Sequence, residues 1–496
     1  MANTIYLLKH FLQKNDMVAL GIALFAGCIS FFLRNQGLLW VPFALLGGLV
    51  WLGVLIFRWK WALYGLLLYL PFVGVPVVVF YPSQMPILLK DFLFVIPAYL
   101  GFFLENRYRK TLVFSAFPKT VVWSLLALAA LVFLHLFNPA SAGWLVGLVG
   151  LKVWLFTIPL YFLAYYLIDS KEQLFRLFQW MLVLALVPTA IGSAEAILIM
   201  VGRAGLVYPM YGAAAQSMFQ GYALNSLGGA GWPRVPSTLT LVFQYFNYCL
   251  AMVAIAYAMW RVRFSQKPRR GYWEFFVLSF VVLAGILSGA RAAFIFIPLY
   301  FVLAQIWDRG VLRLLMLGLA LIVSLGLIMM ILGGNLYSTY QEMSKVAFNY
   351  AFNVQLNEFT RALQLTYLGL GTGMNTGAAR YVADLAHIYG IENYYAKAVV
   401  EFGIPGLIVL VSLFLAILGS GWKNHNRLRD VELRAVSSGI LAYLALTMIY
   451  QWKGWFLDLD PVNVYFWFFA GLLVRLPHLE ETSAAAPGEP AIQPVQ

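Results

Sequence analysis

Residues 284–307 read AGILSGARAAFIFIPLYFVLAQIW and carry a single charged residue, Arg291, close to a Ser-Gly pair. An arginine at the centre of a bilayer costs about 2.5–3.5 kcal/mol even on the most permissive scale. The stretch therefore predicts two apolar helices joined by a tight turn, with Arg291 near the membrane surface.

The rest of the chain has the same apolar character. Of its 496 residues, 62% are hydrophobic, 17% are aromatic and only 11% are charged, which exceeds what a soluble core can bury. This composition indicates a polytopic membrane protein. The formal net charge of +13 is therefore interpreted as a distribution across a membrane, with no nucleic-acid partner.

Apolar runs long enough to cross the hydrocarbon core, about 20 residues each, recur along the chain. We predict an all-α fold with about 14 transmembrane helices, or as few as 12 if short runs merge. The predicted spans are 17–33, 38–57, 61–80, 86–104, 121–136, 144–168, 177–200, 237–260, 274–290, 292–307, 311–332, 396–419, 435–450 and 461–474.

The distribution of basic residues orients these spans. If the N-terminus is cytoplasmic, 22 of the 33 Lys and Arg residues fall on the cytoplasmic side. Positive charge accumulates on the side that is not translocated, so both termini are predicted to be cytoplasmic.

The spans divide the chain into five predicted parts. They are an N-terminal bundle (1–200), a region with a first external loop and the arginine motifs (201–332), a large external loop (333–395), C-terminal helices (396–476) and a disordered cytoplasmic tail (477–496). Long loops in compact membrane proteins are often functional, although a packed cap without chemistry is the alternative.

The large external loop contains SKVAFNYAFNVQLNEFTRALQLTY, residues 344–367. Apolar Val346, Tyr350, Val354 and Leu363 alternate with charged residues at helical spacing. We expect amphipathic helices there that rest on the outer leaflet.

Five basic residues are predicted to lie at the external face. Each alone is explained by snorkelling to the interface. Together they predict a basin for a multiply charged anion, because guanidinium groups offer paired donors suited to phosphate. The five residues are Lys90, Lys152, Arg234, Arg291 and Arg361.

Four stretches occur in an order that resembles a known family: RVPSTLT (234–240), LSGARAAF (287–294), TRALQLTYLGLGTGM (360–374) and ENYYAKAVVEFGIPGL (392–407). Together they resemble the superfamily of O-antigen ligases and O-antigen polymerases, the glycosyltransferases of the bacterial envelope. The resemblance covers roughly residues 200–420, and no single stretch is specific to that family.

This resemblance implies a GT-C-like helical bundle in the bacterial inner membrane, with the active site on the periplasmic side. It implies a metal-independent, inverting transferase without a cofactor, whose donor is a glycan on undecaprenyl pyrophosphate. By position, Arg234 and Arg291 would hold the pyrophosphate. Lys90, Lys152 and Arg361 are predicted to contribute to substrate binding as the other residues of the external basin. A flippase and a chain-length regulator would be partners in the bilayer.

The chain departs from the family's ligases at one position. It has Glu392-Asn393 where they carry His-Asn. A histidine is a natural base near neutral pH, whereas a glutamate would act mainly by polarising the acceptor hydroxyl unless burial makes it more basic. We predict Glu392 as the catalytic group, with Asn393 and His387 at the substrate. Pairing of Glu392 with Lys397 or Arg380 is the structural alternative.

Four other acidic residues could pair with a cation or bind a metal. Glu401 is predicted to shape the start of the helix at 396 and to hold a basin arginine near the substrate, and Glu195 is a second candidate partner for an arginine. Asp458 and Asp460 form an Asp-x-Asp pair, but two carboxylates without further oxygen ligands make a poor metal site. We predict a polar loop there and no metal site.

Three functions remain open on the sequence. The glutamate at 392 favours a polymerase that joins two lipid-linked glycans, over a ligase that transfers a glycan to lipid A core or to protein. A transporter or flippase of lipid-linked glycan is the alternative from another class, but transporters usually place their charges near the midplane of the membrane.

Overall fold

The computed structural model describes residues 40–83, 85–109, 114–219, 233–266, 271–308, 318, 349–383 and 388–485. The regular elements in these ranges are helices. The α-helices, numbered in chain order, are α1 (Trp40–Phe57), α2 (Trp59–Tyr69), α3 (Gly74–Val79), α4 (Ile96–Arg109), α5 (Lys119–Leu136), α6 (Trp144–Leu155), α7 (Leu160–Leu167), α8 (Lys171–Met200), α9 (Ala204–Val207), α10 (Ala215–Phe219), α11 (Val242–Gln266), α12 (Tyr272–Leu287), α13 (Ala293–Asp308), α14 (Gln355–Leu365), α15 (Tyr394–Arg427), α16 (Val431–Tyr450) and α17 (Val462–Ala485).

Within the described residues, eight helical segments are long and apolar enough to cross a membrane, or nine if α1 and α2 count as one bent span. The prediction of an all-helical chain with several membrane-spanning helices is confirmed at this level. The number of fourteen is not confirmed. Predicted spans 17–33 and, apart from residue 318, 311–332 lie outside the described residues, and α12 and α13 have only 16 residues each.

The predicted span 61–80 is not one continuous helix. Helix α2 ends at Tyr69, a 3₁₀ turn covers Leu70–Phe72, and α3 starts at Gly74. Pro71 lies in the 3₁₀ turn and Pro76 in the first turn of α3, and proline removes a backbone donor and clashes with the preceding turn. Mean hydropathy over a window does not register such breaks.

The chain divides into two compact units, the smaller comprising residues 1–69 and 84–113 and the larger comprising 70–83 and 114–496. In the smaller unit, α4 packs against α1 and α2. The indole of Trp59 donates a hydrogen bond to Glu105 at 2.5 Å. Lys90 and Asp91 form a buried ion pair at the start of a π-helical turn over Asp91–Val95.

Helices α11, α16 and α17 form the interior of the larger unit. In the most apolar stretch of each helix, 94% of the residues of α11, 89% of those of α16 and 83% of those of α17 are buried, whereas only 22% are buried in α5. Helix α11 packs against α12 and α16, α17 against α7, and α15 against α5. Small residues allow close approach, since a side chain at Gly471 would overlap the backbone of Tyr161.

The arginine segments lie at one end of this bundle. Arg234 precedes α11, Arg291 lies between α12 and α13, and Glu392 precedes α15. Hydrogen bonds join the Arg234 segment to the end of α12, through Val235 and Ser288, and the start of α15 to the turn after α16, through Tyr394 and Gln451. The Phe296 ring near the start of α13 lies 4.2 Å from the Tyr450 ring at the end of α16, so these positions share one end. Where α8 and α16 begin, Lys171 forms ion pairs with Asp430, at 2.5 Å, and with Glu432.

Two expectations about loops change. On α14, Phe359 and Leu363 contact a core that includes Val399 and Val400, so this part of the predicted amphipathic face is covered by α15. Val354 is exposed, and Val346 lies outside the described residues. Helix α17 continues to Ala485, so the described part of the predicted tail, residues 477–485, is helical.

Candidate functional site

The two arginine motifs pack directly on each other. The backbone N–H of Val235 donates to the carbonyl of Ser288 at 3.1 Å. Gly289 has a φ of 76°, and a Cβ there would lie 2.9 Å from the Cα of Arg234 and 2.8 Å from the carbonyl carbon of Pro233. A side chain would also overlap the Pro233 carbonyl oxygen, so the close approach of the two segments requires glycine at this turn.

Arg291 lies in the turn that the sequence predicted. Helix α12 ends at Leu287 and α13 begins at Ala293. The Ser288 hydroxyl donates to the Gly285 carbonyl at 2.6 Å and lies 3.2 Å from the N–H of Ala290, which fixes the turn. The Arg291 side chain is exposed at this end of the bundle.

Glu195 holds the Arg234 segment in place through Ser237. Its carboxylate accepts hydrogen bonds from the Ser237 backbone N–H at 3.2 Å and from the Tyr211 hydroxyl at 2.5 Å. Ser237 has a φ of 54°, and its hydroxyl donates to the Pro188 carbonyl at 2.6 Å. Glu195 was expected to pair with an arginine; these contacts show it fixing the loop that carries Arg234 instead.

A third cation, Lys453, lies in the same region as the two arginines. It lies in the sequence YQWKGWFLDLD (450–460), after α16. The pKa of Lys453 is lowered to about 8, by burial first and then by the charges of Arg234 and Arg291, while Glu392 acts in the opposite direction. Arg234, Arg291 and Glu392 therefore lie within electrostatic range of the Lys453 ammonium.

Tyr350 connects Lys453 to Glu392. Its hydroxyl donates a hydrogen bond to Glu392, and the Lys453 ammonium lies 5.7 Å from the centroid of its ring. Burial, followed by the hydrogen bond to Glu392, raises the pKa of Tyr350. Tyr350 was predicted to face the lipid; its phenol faces the charged cluster instead.

Glu358 of α14 holds the backbone at Glu392. One carboxylate oxygen accepts hydrogen bonds from the N–H of Glu392 at 3.0 Å and from that of Asn393 at 3.3 Å. Burial raises the pKa of Glu358, and the negative charge of Glu392 adds to this. Arg361, on the same helix, lies close enough to Glu358 to oppose that shift.

We define the charged cluster as Arg234, Arg291, Tyr350, Glu392 and Lys453. The structure therefore brings together the three residues predicted as catalytic, Arg234, Arg291 and Glu392, and adds two that the sequence analysis did not assign to the site. Glu392 is exposed and one of its oxygens accepts from Tyr350, while Lys397 pairs with Asp458 and not with Glu392.

Asn393 serves as the N-cap of α15. Its side-chain oxygen accepts hydrogen bonds from the N–H of Tyr395 at 3.0 Å and of Ala396 at 3.2 Å. This cap satisfies two donors that a helix leaves open at its start. The residue is fully buried, so its contacts describe a structural function next to Glu392.

Glu401 is enclosed by the Gly-rich loop. Its four hydrogen-bond donors, at 2.8–3.0 Å, are the Trp154 indole, the N–H groups of Gly373 and Asn375, and the Thr376 hydroxyl. A carboxylate has about four acceptor positions, so none is left for an arginine or a substrate. Glu401 was expected to hold an arginine; it stabilises the loop.

The Gly-rich loop itself is a packing element. The N–H of Leu370 donates to the Val400 carbonyl at 2.7 Å, and the N–H of Gly371 and Thr372 donate to the carbonyls of Glu401 and His135 at 3.1 Å. Because these donors are used internally, the loop does not present them to an anion.

The remaining predicted residues lie as follows. The Lys152 ammonium lies 5.8 Å from the ring centroid of Phe156, a residue of the same stretch of chain. Lys90 pairs with Asp91 in the smaller unit. Asp458 takes buried Lys397 as its ion partner, which gives this part of the Asp-x-Asp sequence a structural contact. His387 lies outside the described residues.

Sequence reasoning missed Lys453 although one signal was available. The lysine follows a predicted span and is flanked by Trp452 and Trp455, aromatic residues typical of a membrane interface.

No protein-family model matches the chain, and no curated protein matches it. The arrangement itself offers three positive groups beside one exposed carboxylate, which suits binding of a polyanion next to a hydroxyl that loses a proton.

Proposed function

We propose that the chain is a bacterial inner-membrane glycosyltransferase that polymerises polysaccharide repeat units from glycans carried on undecaprenyl pyrophosphate. The observation that carries the proposal is the convergence of Arg234, Arg291 and Lys453 beside Glu392 at one end of the helical bundle. A cluster with three cations suits a substrate with at least two negative charges.

In the proposed reaction, the guanidinium groups of Arg234 and Arg291 hold the diphosphate of the donor. The bond between the sugar C1 and the phosphate oxygen breaks while the acceptor hydroxyl oxygen bonds to C1 from the opposite face. Negative charge develops on the departing diphosphate, and fixed positive donors stabilise that charge without the need for a general acid. The products are the extended glycan and undecaprenyl pyrophosphate.

Glu392 is assigned to the acceptor. One carboxylate oxygen of Glu392 accepts a hydrogen bond from the Tyr350 hydroxyl, which fixes the orientation of the carboxylate. The Glu392 side chain is exposed at the cluster. The other oxygen accepts the proton of the acceptor hydroxyl as the new bond forms. Glu358 supports this position through the backbone of Glu392.

The polymerase assignment, as opposed to a ligase, rests on the resemblance and on the glutamate at position 392. We place the reaction on the periplasmic face, with a flippase supplying the donor and a chain-length regulator as further partner. The cluster lies at helix ends, whereas transporters usually bind their substrates near the membrane midplane, which favours transfer over transport.

The test uses purified protein in nanodiscs with undecaprenyl-pyrophosphate-linked oligosaccharide as the only glycan. We expect a ladder of polymers and release of undecaprenyl pyrophosphate, and we expect Arg234→Ala and Arg291→Ala to remove both. Product only when lipid A core or an acceptor protein is added would identify a ligase. Movement of intact donor across proteoliposomes without release of undecaprenyl pyrophosphate would refute the transferase.

A further inference from the structure

Lys453 is held in a rigid aromatic setting. Its ammonium lies 5.7 Å from the ring centroid of Tyr350 and 5.6 Å from that of Tyr450. Tyr450 stacks on Phe456 with centroids 4.2 Å apart and an interplanar angle of 17°. The backbone N–H of Lys453 donates to the Tyr450 carbonyl at 2.9 Å, which closes the turn after α16.

The segment around Lys453 is also fixed at both ends. The carbonyl of Gln451 accepts a hydrogen bond from the N–H of Tyr394 at 3.0 Å, and this bond joins the turn to the start of α15. The Gln451 side chain accepts the N–H of Leu457 at 3.1 Å. The lysine therefore projects from a positioned turn and not from a mobile loop.

The ammonium has aromatic neighbours but no close counter-ion. Within the described part of the chain, no carboxylate oxygen lies near enough to Lys453 to form a salt bridge. The charged groups that act on it are Arg234 before α11, Arg291 before α13 and Glu392 before α15. Two guanidinium groups therefore lie within electrostatic range of this ammonium, and a diphosphate diester, which carries two negative charges, is a suitable ligand for several cations.

We propose that the Lys453 ammonium is a third ligand for the diphosphate of the lipid-linked donor, and that the donor binds most tightly when Lys453 is protonated. This inference rests on the proposed function. Cation–π contacts with the two tyrosines stabilise the charged form and direct it toward the cluster, so the ligand meets a positioned positive charge. Arg234 and Arg291 supply the paired donors, and Lys453 supplies a point charge.

The pH dependence follows from the position of the Lys453 pKa. In the free protein this pKa is lowered to about 8. A bound dianion favours the charged form, so the pKa in the complex is higher than in the free protein. Donor affinity is then constant below about pH 8 and declines, by up to about tenfold per pH unit, between the free and the bound pKa values. Binding within that window takes up protons.

The experiment measures binding and not turnover. The probe is a farnesyl-diphosphate-linked monosaccharide, a diester whose phosphates do not titrate near neutral pH, studied by titration calorimetry between about pH 6 and 10 in buffers of different ionisation enthalpy. Wild-type protein should take up protons near about pH 8.5 and lose affinity above about pH 8.

Two substitutions separate charge from titration. Lys453→Met should weaken binding by about 10- to 100-fold at neutral pH and remove the proton uptake. Lys453→Arg keeps the charge and the stacking, so it should bind without a pH-dependent decline. The matched control is Lys423→Met, which removes an equal charge at an exposed position near the C-terminal end of α15 and should behave like the wild type.

The outcomes distinguish this inference from the proposed function. If the wild type binds the probe and Arg234→Ala loses it, but Lys453→Met keeps wild-type affinity and proton uptake, the inference is overturned and the proposed function stands. If folded wild-type protein does not bind the probe at any pH, both are overturned. Proton uptake by the wild type needs no variant, so a Lys453→Met protein that fails to fold does not prevent a decision.

Discussion

The contact between the two arginine motifs gives a quantitative prediction at Gly289. A Cβ at this position would lie 2.9 Å from the Cα of Arg234. Carbon atoms in ordinary contact are about 3.5–4.0 Å apart, so Gly289→Ala should push the Arg234 Cα away by at least about 0.6–1.1 Å. The Pro233 carbonyl oxygen, which would lie only 2.0 Å from the Cβ, has to move further. Arg234 would then be displaced from Arg291 without any change in either side chain.

The functional cost follows from the size of that displacement. A misplacement of about 1 Å in a preorganised site costs on the order of 10²-fold in rate. We therefore expect Gly289→Ala to reduce glycan transfer by about 10- to 100-fold and to weaken binding of the diphosphate diester. Alanine at positive φ also costs about 1–2 kcal/mol of stability, which has to be separated from the effect on the site.

Gly202 provides the matched control for this experiment. Its φ is 77°, nearly the same as at Gly289, but a Cβ there meets no described atom within 4 Å. Gly202→Ala therefore carries the backbone penalty without the displacement. The measurements are transfer of lipid-linked oligosaccharide, probe affinity and thermal unfolding in detergent. A folded Gly289→Ala protein with wild-type affinity and turnover would refute the reasoning, as would equal losses of activity in both variants.

Three other predictions concern the catalytic carboxylate, the loop and the topology. Glu392→Gln keeps the size of the side chain but loses its charge, so transfer should fall by roughly 10²- to 10⁴-fold while the probe affinity survives; full turnover would leave Glu392 a structural role. Glu401→Ala leaves buried donors without an acceptor, at a cost of about 1–3 kcal/mol each, so the unfolding temperature should fall clearly, and an unchanged temperature would contradict the account of the loop. In a chain whose native cysteines are replaced, a cysteine at exposed Tyr381 should react with an impermeant thiol reagent from outside and one at exposed Lys423 should not; the reverse pattern would place the cluster in the cytoplasm.

The position of the arginines at helix ends could be predicted from the sequence. Arg291, which lies beside a Ser-Gly pair, interrupts an apolar stretch that is too long for one helix. The structure has a turn there, between Leu287 and Ala293. The prediction succeeds because the cost of charge in hydrocarbon acts locally and leaves few positions for the turn.

The neighbours of these arginines could not be predicted in the same way. Tyr350 has the spacing of an apolar helix face, yet its hydroxyl donates to Glu392, 42 residues away. The four donors around Glu401 come from residues 154 and 373–376, which only the packed fold brings together. Periodicity describes which face of a helix is buried, but it does not identify the partner of a buried polar group.

A cluster of like charges is unstable unless other contacts hold its segments. Each segment of the charged cluster has such a contact nearby: Ser237 binds Glu195, Val235 binds Ser288, and Glu392 is held by Glu358. The turn that carries Lys453 is joined to α15 through Gln451 and Tyr394. These contacts are hydrogen bonds donated by backbone N–H groups, and Gly289 allows the close approach of the two arginine segments. The surrounding structure therefore opposes the repulsion between the cations, together with the Glu392 carboxylate of the cluster itself.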